Sequence, residues 1–587
     1  MSASPSRNFA KFTAADWLSG EVLALAQRLG TPVPESHKLA EIVASLAEIT
    51  TENRGTHLKI EEAETLEFLK KTAASSPTDS ITGTPQTFLS GKITPLVLDA
   101  ENAALYFFRH YKQEVRTAQI LIERACADKV VPVSEISEKI IASELPFPLN
   151  AEQKAAVRSV VSRPMTIISG GPGTGKTTLL LRALICLFTE NPEARVVLAA
   201  PTGKAAARMK ESVQAQVREI CSSEQALVAF PQDVLKKAES PEPATLHRVL
   251  GIGASPLASP GVSAIAADYV IADESSMIDQ ALMFRLLSSL RAGTRLVLLG
   301  DKNQLDSVGA GRVFGAICSE EKLACARVDL TESRRFDAAG VLGRMARAVV
   351  RGDVDGVASA LDEPLSSERE RAVFRFDSGE ISPEKLDETL SEIFPEKLQN
   401  VPADAKPEEM LALLDSARVL TPLRRGKFGA EALNARARKL FAPTGSAVQE
   451  HFHGQPILVT RNAAQERLFN GDTGIILRDA AGTLIAHFRG DDGTIRRIPA
   501  ALLPDHETAY AMSIHKAQGS EFARLGIVFP PEGSHTEFFS RQLLYTALTR
   551  FRESGENSLL RLLFDRDSLL GAVSRENPLR ELLFAHT

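Results

Sequence analysis

The chain has 587 residues, 44% of them hydrophobic and 24% charged, and a formal net charge of −6. Those values fit a globular protein of three or four domains at roughly 150 residues each. They exclude a disordered chain and a surface that is basic all over, but not a local basic groove, since 68 Lys and Arg can be segregated on one face.

The first residues, MSASPSRNFAKFTAADWLSG, carry no apolar run of the kind a secretory leader needs. The most apolar stretch, 179–188, is short and broken by Arg182, so no membrane span is expected. Five scattered cysteines without a CxxC pair speak against a disulfide frame, a zinc site or an iron–sulfur cluster, and a reducing cytoplasm is the simplest location.

Apolar residues at helical spacing in LSGEVLALAQRLG and ETLEFLKKTA predict a helical N-terminal domain over 1–115, with a second helical stretch over about 100–127. From about 150 the texture changes. The runs MTIIS, RVVLAA, YVIAD, RLVLLG, ARVLTP and LGIVFP alternate with helical segments. Continuous apolar strands between helices predict an α/β fold with parallel sheets covered on both faces. Two such units are expected, over 116–345 and 346–587. The acidic, Pro-containing 353–416 reads as solvated helix and loop. Short alternating strands with Asn-Gly and Asp-Gly turns at about 445–505 predict a small β-barrel of SH3-like kind inserted in the second unit.

The polar motifs follow the strand runs, where chemistry collects in parallel sheets. GGPGTGKTT (170–178) fits the phosphate-loop pattern between a strand and a helix. The glycines Gly170, Gly171, Gly173 and Gly175 would let backbone N–H groups wrap a nucleotide phosphate, aided by the helix N-terminus, with Pro172, Thr174 and Thr178 part of the same nucleotide-binding loop. Lys176 would reach the β- and γ-phosphates of ATP, and Thr177 would hold Mg²⁺. The bland alternative is a Gly-rich turn with an incidental lysine, a pattern expected by chance in roughly 2% of chains this long. VIADESSMID (270–279) ends a strand on Asp273, a second Mg²⁺ ligand, and Glu274, which would polarise the attacking water. Gln304 in LGDKNQLDSVGAG offers an amide to a γ-phosphate, and Gln153 in LNAEQKAAV one to an adenine edge. Arg334 or Arg335 in LTESRRF, and Arg550 in LLYTALTR, are candidates for cations on the γ-phosphate; for any single Arg the alternative is a surface ion pair.

In order, GGPGTGKTT, AAPTGKAAAR, ATLHRVLG, ADESSMID, GDKNQL, the Arg334–Arg335 pair, NGDTGIIL, SIHKAQGSEF and LLYTALTR resemble the motif set of superfamily 1 DNA helicases. More narrowly, the set is similar to that of the RecD family, alpha subunits of exodeoxyribonuclease V (RecBCD). The resemblance covers about 145–550. It implies two RecA-like lobes sharing one ATP, 5′→3′ movement along single-stranded DNA, and an N-terminal domain that docks on RecC, with RecB as the second partner. By position it places Lys176, Glu274, Gln304, Arg335 and Arg550 in the ATPase site. It places Pro201, Thr202, Lys204, Arg208, His247, His515, Lys516, Gln518 and Glu521 in motifs that contact DNA or couple it to ATP. Two departures stand out: Arg334 occupies a position where the family often has an aromatic residue, and Phe551 and Arg552 follow Arg550 instead of a small residue. A stand-alone RecD-like helicase is the alternative within enzymes, and an inactive DNA-binding scaffold the alternative outside them. No acidic–lysine nuclease constellation is evident.

Overall fold

A computed structural model describes residues 33–584 apart from 52–56, 75–81, 84–93, 253–263, 308–311, 334–339, 534–538, 576–582 and a few shorter stretches. The helix expected over 18–30 and the pair Arg334–Arg335 lie outside the described residues.

The N-terminal domain corrects the all-helical expectation. Helices Val33–Thr51 and Ala63–Ala74 are present, but they pack on a four-stranded sheet of β1 (His57–Lys59), β2 (Thr82–Gly83), β3 (Leu96–Asp99) and β4 (Ala104–Phe107), in the order β1-β4-β3-β2. The physical reason lies in PLVLDAENAALYFF: two four-residue apolar runs flank a turn tightened by the Asp99 carboxylate, which accepts from the backbone N–H of Glu101 and Asn102. That local hydrogen bonding favours a hairpin over a helix. The helix expected from residue 100 therefore starts at Phe108 and runs to Ala125. It crosses the expected boundary at 115: Tyr111 and Val115 pack on the N-terminal sheet, Ala118 and Leu121 in the core of the next domain.

Lobe one is a six-stranded parallel sheet of β5 (Met165–Gly170), β6 (Val196–Ala200), β7 (Ala244–Thr245), β8 (Tyr269–Ala272), β9 (Arg295–Gly300) and β10 (Arg327–Leu330), in the order β10-β5-β9-β8-β6-β7. The central strands are buried along nearly their whole length because helices cover both faces, each face with its own apolar core. Arg182, which breaks the apolar run 179–188, is itself buried. Its guanidinium donates to the carbonyls of Ile140 (2.6 Å), Ser143 (3.1 Å) and Phe147 (2.9 Å) and stacks over Phe230. It closes the end of a neighbouring helix whose last carbonyls have no partner inside that helix.

Lobe two is a five-stranded parallel sheet, order β11-β20-β19-β12-β18, built from β11 (Phe374–Ser378), β12 (Ala417–Thr421), β18 (Ala511–Ser513), β19 (Arg524–Phe529) and β20 (Leu559–Phe564). The helix Val341–Arg351 crosses the expected boundary at 345 and packs wholly in this lobe's core. The segment 353–416 is less solvated than its composition suggests. It supplies β11, and Leu386, Leu390, Ile393, Leu411 and Leu414 bury one face of the sheet. Between β12 and β18 stands an antiparallel sheet of β13 (Gln455–Val459), β14 (Thr473–Arg478), β15 (Leu484–Arg489), β16 (Ile495–Pro499) and β17 (His506–Thr508), order β16-β15-β14-β13-β17, with a small apolar core of its own.

Among the described residues no helix is long and apolar enough to cross a membrane. Replacing Arg182 with Ala removes a donor from three carbonyls; chemical denaturation of the full chain is expected to show a loss of about 2–4 kcal/mol.

Candidate functional site

The carboxyl ends of neighbouring parallel strands bring the polar motifs to one edge of lobe one. The phosphate loop follows β5, the Asp301–Gln304 turn follows β9, Asp273–Glu274 follows β8 and Pro201–Arg208 follows β6. They border a cleft of about 730 Å³ between the lobes. Gly171, Pro172, Gly173, Thr174, Gly175, Lys176, Thr177 and Thr178 line one wall, Asp273, Glu274 and Gln304 the floor, and Gly519, Glu521, Arg550 and Arg552 of lobe two the facing wall. Arg550 and Lys176 thus share one cavity although more than half the chain separates them.

The loop's shape depends on left-handed backbone at Gly173 and Gly175, a conformation that costs a residue with a Cβ about 1–2 kcal/mol. Gly175 caps the helix Lys176–Glu190, so the free N–H groups of its first turn point into the cleft. The Lys176 ammonium donates to the carbonyls of Gly170 (2.5 Å) and Gly171 (3.3 Å). Gln153 stands behind the loop and does not line the cleft. Its Oε1 accepts from the N–H of Asn150 (2.9 Å), closing a capping box, and its Nε2 donates to the carbonyl of Thr174 (2.8 Å). Both ends of the amide thus brace the loop.

Asp273 is pushed up to about 6, first by burial and then by the neighbouring carboxylate of Glu274; Lys176 opposes both. Glu274 adopts the left-handed region itself, with φ 50°, and its N–H donates to Asp273 Oδ1 at 2.8 Å. Backbone held in that region by a non-glycine residue costs of order 1–3 kcal/mol and marks functional sites. The two adjacent acids line the same cleft as Thr177; these are hard oxygen donors of the kind that could hold a divalent cation, and Mg²⁺ asks no more than one or two protein oxygens.

Gln304 is buried, its amide donating to Asp301 Oδ2 at 3.0 Å. Arg550 is 3% exposed, and its guanidinium is held by the carbonyls of Thr546 (3.1 Å) and Ser520 (3.2 Å) in its own lobe. Of the residues assigned to DNA motifs, Thr202 caps the helix Gly203–Cys221 and Pro201 precedes it; His247 is exposed just after β7, and His515 and Lys516 are exposed after β18, Lys516 paired with Glu507. Lys204 lines a second cleft of about 480 Å³ with Phe469 and Arg489 of the inserted sheet. Three members, Arg208, Glu521 and Gln518, stand between the lobes. Arg208 forms an ion pair with Glu521 across the nucleotide-side cleft, and Gln518 is buried between the lobes, its Nε2 donating to the Leu305 carbonyl at 2.8 Å.

Asp301 and Tyr545 are missing from the expected site. Asp301 is 1% exposed and accepts the Tyr545 hydroxyl at 3.1 Å across the lobe boundary. Both lie inside quoted motifs, but a Tyr in an apolar helical run reads as core, and only the cross-lobe contact reveals it.

The family model of an AAA domain matches residues 148–367, and that of a UvrD-like helicase C-terminal domain matches 508–554. The chain is 32% identical to the RecBCD enzyme subunit RecD of Mycolicibacterium smegmatis, covering 78% of each chain. It is 31% identical to that of Haemophilus influenzae, over 77% of this chain and 76% of the relative. The chain belongs to the RecD family. The ATP-dependent RecD2 DNA helicase of Deinococcus radiodurans is 28% identical over 69% of this chain but only 48% of its own length. The family matches span both walls of the cleft, so the likeness lies in the site as well as in the overall length.

A Cβ on Gly175 would stand 2.4 Å from Gln153 Nε2, on left-handed backbone. Gly175→Ala is expected to weaken binding of a fluorescent ATP analogue by about tenfold or more, about 1.4 kcal/mol, in a direct titration.

Proposed function

We propose that this chain is the ATP-dependent DNA helicase subunit, the alpha subunit, of an exodeoxyribonuclease V (RecBCD) complex, moving 5′→3′ along single-stranded DNA in double-strand-break repair and recombination. The observation that carries the proposal is the shared cleft: Lys176 from one parallel sheet and Arg550 from another face the same space. We read the two sheets as RecA-like lobes and the inserted sheet as a barrel of SH3-like kind.

The residues divide the work. The N–H groups of the phosphate loop and the Lys176 ammonium hold the triphosphate. Thr177 and Asp273 would hold Mg²⁺, which when bound neutralises phosphate charge. Glu274 orients and polarises the attacking water, and Gln304 presents its amide to the terminal phosphate. Arg550, with Arg335 from the segment after β10, meets the charge that develops on transfer, a contribution of about 10³–10⁵ in rate for such an arginine. A strand of DNA lying across Lys204 and His247 of one lobe and His515 and Lys516 of the other is moved as the cleft opens and closes. Backbone phosphates take most of these contacts, so binding is sequence-independent and weakens with salt.

RecB and RecC are the proposed partners, with docking by the N-terminal α/β domain. The greater coverage of RecD subunits than of the RecD2 helicase favours this reading over a stand-alone enzyme.

Lys176→Ala is expected to abolish ATP turnover while the melting temperature stays near wild type, and Glu274→Gln to bind ATP normally but hydrolyse it about 10²-fold more slowly. Steady-state turnover and nucleotide titration check both. Unwinding of duplexes with a single-stranded 5′ or 3′ overhang, with and without the partner subunits, is expected to favour the 5′ overhang; equal or reversed preference removes the polarity.

A further inference from the structure

The turn after β9 is held by lobe two at three points. The Tyr545 hydroxyl donates to Asp301 Oδ2 at 3.1 Å, the Leu305 N–H donates to Thr546 Oγ1 at 2.8 Å, and Gln518 Nε2 donates to the Leu305 carbonyl at 2.8 Å. The Leu305 side chain, 5% exposed, is packed inside the apolar core of lobe two. A five-residue turn of one lobe is thus built into the other, and Gln304 lies in the middle of it.

Asp301 joins these contacts to the nucleotide side. Its Oδ2 accepts both the Tyr545 hydroxyl and the Gln304 amide (3.0 Å), while Oδ1 accepts the Asn303 N–H (3.0 Å). The Tyr545 hydroxyl also lies close to the phosphate loop: a Cβ on Gly171 would stand 2.7 Å from it. Tyr545 sits in the helix Arg541–Leu548, which leads directly into Arg550, and that helix's Thr546 carbonyl accepts from Arg550 Nε. One carboxylate oxygen therefore receives the amide facing the terminal phosphate and the hydroxyl of the helix that carries the arginine. A carboxylate held in such burial, which raises its proton affinity, is costly unless its hydrogen bonds are kept.

We propose that Asp301 and Tyr545 are a positioning pair: they lock the Gln304 amide to the helix that carries Arg550, so that closing the cleft and aligning its two sides are one event. Neither residue needs to touch the nucleotide. The pair makes lobe approach depend on the placement of Gln304, and placement of Gln304 depend on lobe approach, as coupling between two sites requires. This inference rests on the helicase reading above.

The test uses the full chain, oligo(dT) at saturating concentration and ATP. Tyr545→Phe keeps the ring and removes only the hydroxyl. It is expected to lower kcat at least about fivefold, to change KM for ATP by less than about twofold, and to leave the melting temperature near wild type. Asp301→Asn, which keeps one acceptor oxygen, should lose less than Asp301→Ala. The double variant Asp301→Ala with Tyr545→Phe should turn over no more slowly than the slower single variant, because both remove one link. A smaller loss of kcat in Tyr545→Phe, or losses that multiply in the double variant, overturns the pair while leaving the helicase reading intact. A wild-type chain with no DNA-stimulated turnover overturns the helicase reading and this inference with it.

Discussion

A parallel strand delivers the loop after its carboxyl end to one edge of the sheet, and the site in lobe one depends on that constraint. In lobe one it places the phosphate loop, the two acids and the Gln304 turn side by side, because β5, β9 and β8 are adjacent in the sheet. Lobe two answers from the amino-terminal side of β19 and β20, where Glu521 and Arg550 stand, with Gly519 beside them. Neither side alone surrounds a triphosphate.

Each lobe owns its apolar cores, two per sheet, so each is stable against itself and the space between them need not be dry. The contacts across the gap are of another kind. Arg208 pairs with Glu521, and the turn 301–305 engages Tyr545, Thr546 and Gln518. Directional polar contacts of about 1 kcal/mol each can be exchanged without unfolding either core, which suits the opening and closing proposed for the cleft. Leu305 is the exception, an apolar anchor from one lobe in the core of the other, and it fixes the turn there.

Strain and charge gather at the same edge. Glu274 sits on left-handed backbone and Asp273 is held near 6 by burial and its neighbour. Such arrangements persist only where the surroundings overdetermine them. Here those surroundings are the buried β8 behind the acids and the capped phosphate loop in front.

The sequence by itself determined what depends on local chemistry: the phosphate loop, the acidic strand end, the alternation of apolar strands with helices, and the antiparallel insert with its turn residues. Each of these is written in residues near one another in the chain, where glycine freedom, hydrophobic period or adjacent charges act directly. Only the tertiary structure decided what depends on distant segments meeting. The N-terminal sheet needed the pairing of β1 with β4. The burial of 353–416 needed a second sheet to cover. Gln153 braces the phosphate loop because Thr174 stands beside it, Gln518 and Arg208 meet the opposite lobe, and Asp301 meets Tyr545. A side chain's partner across a domain boundary leaves no period and no spacing in the chain, because the two halves of the contact are brought together by the packing of two separate cores.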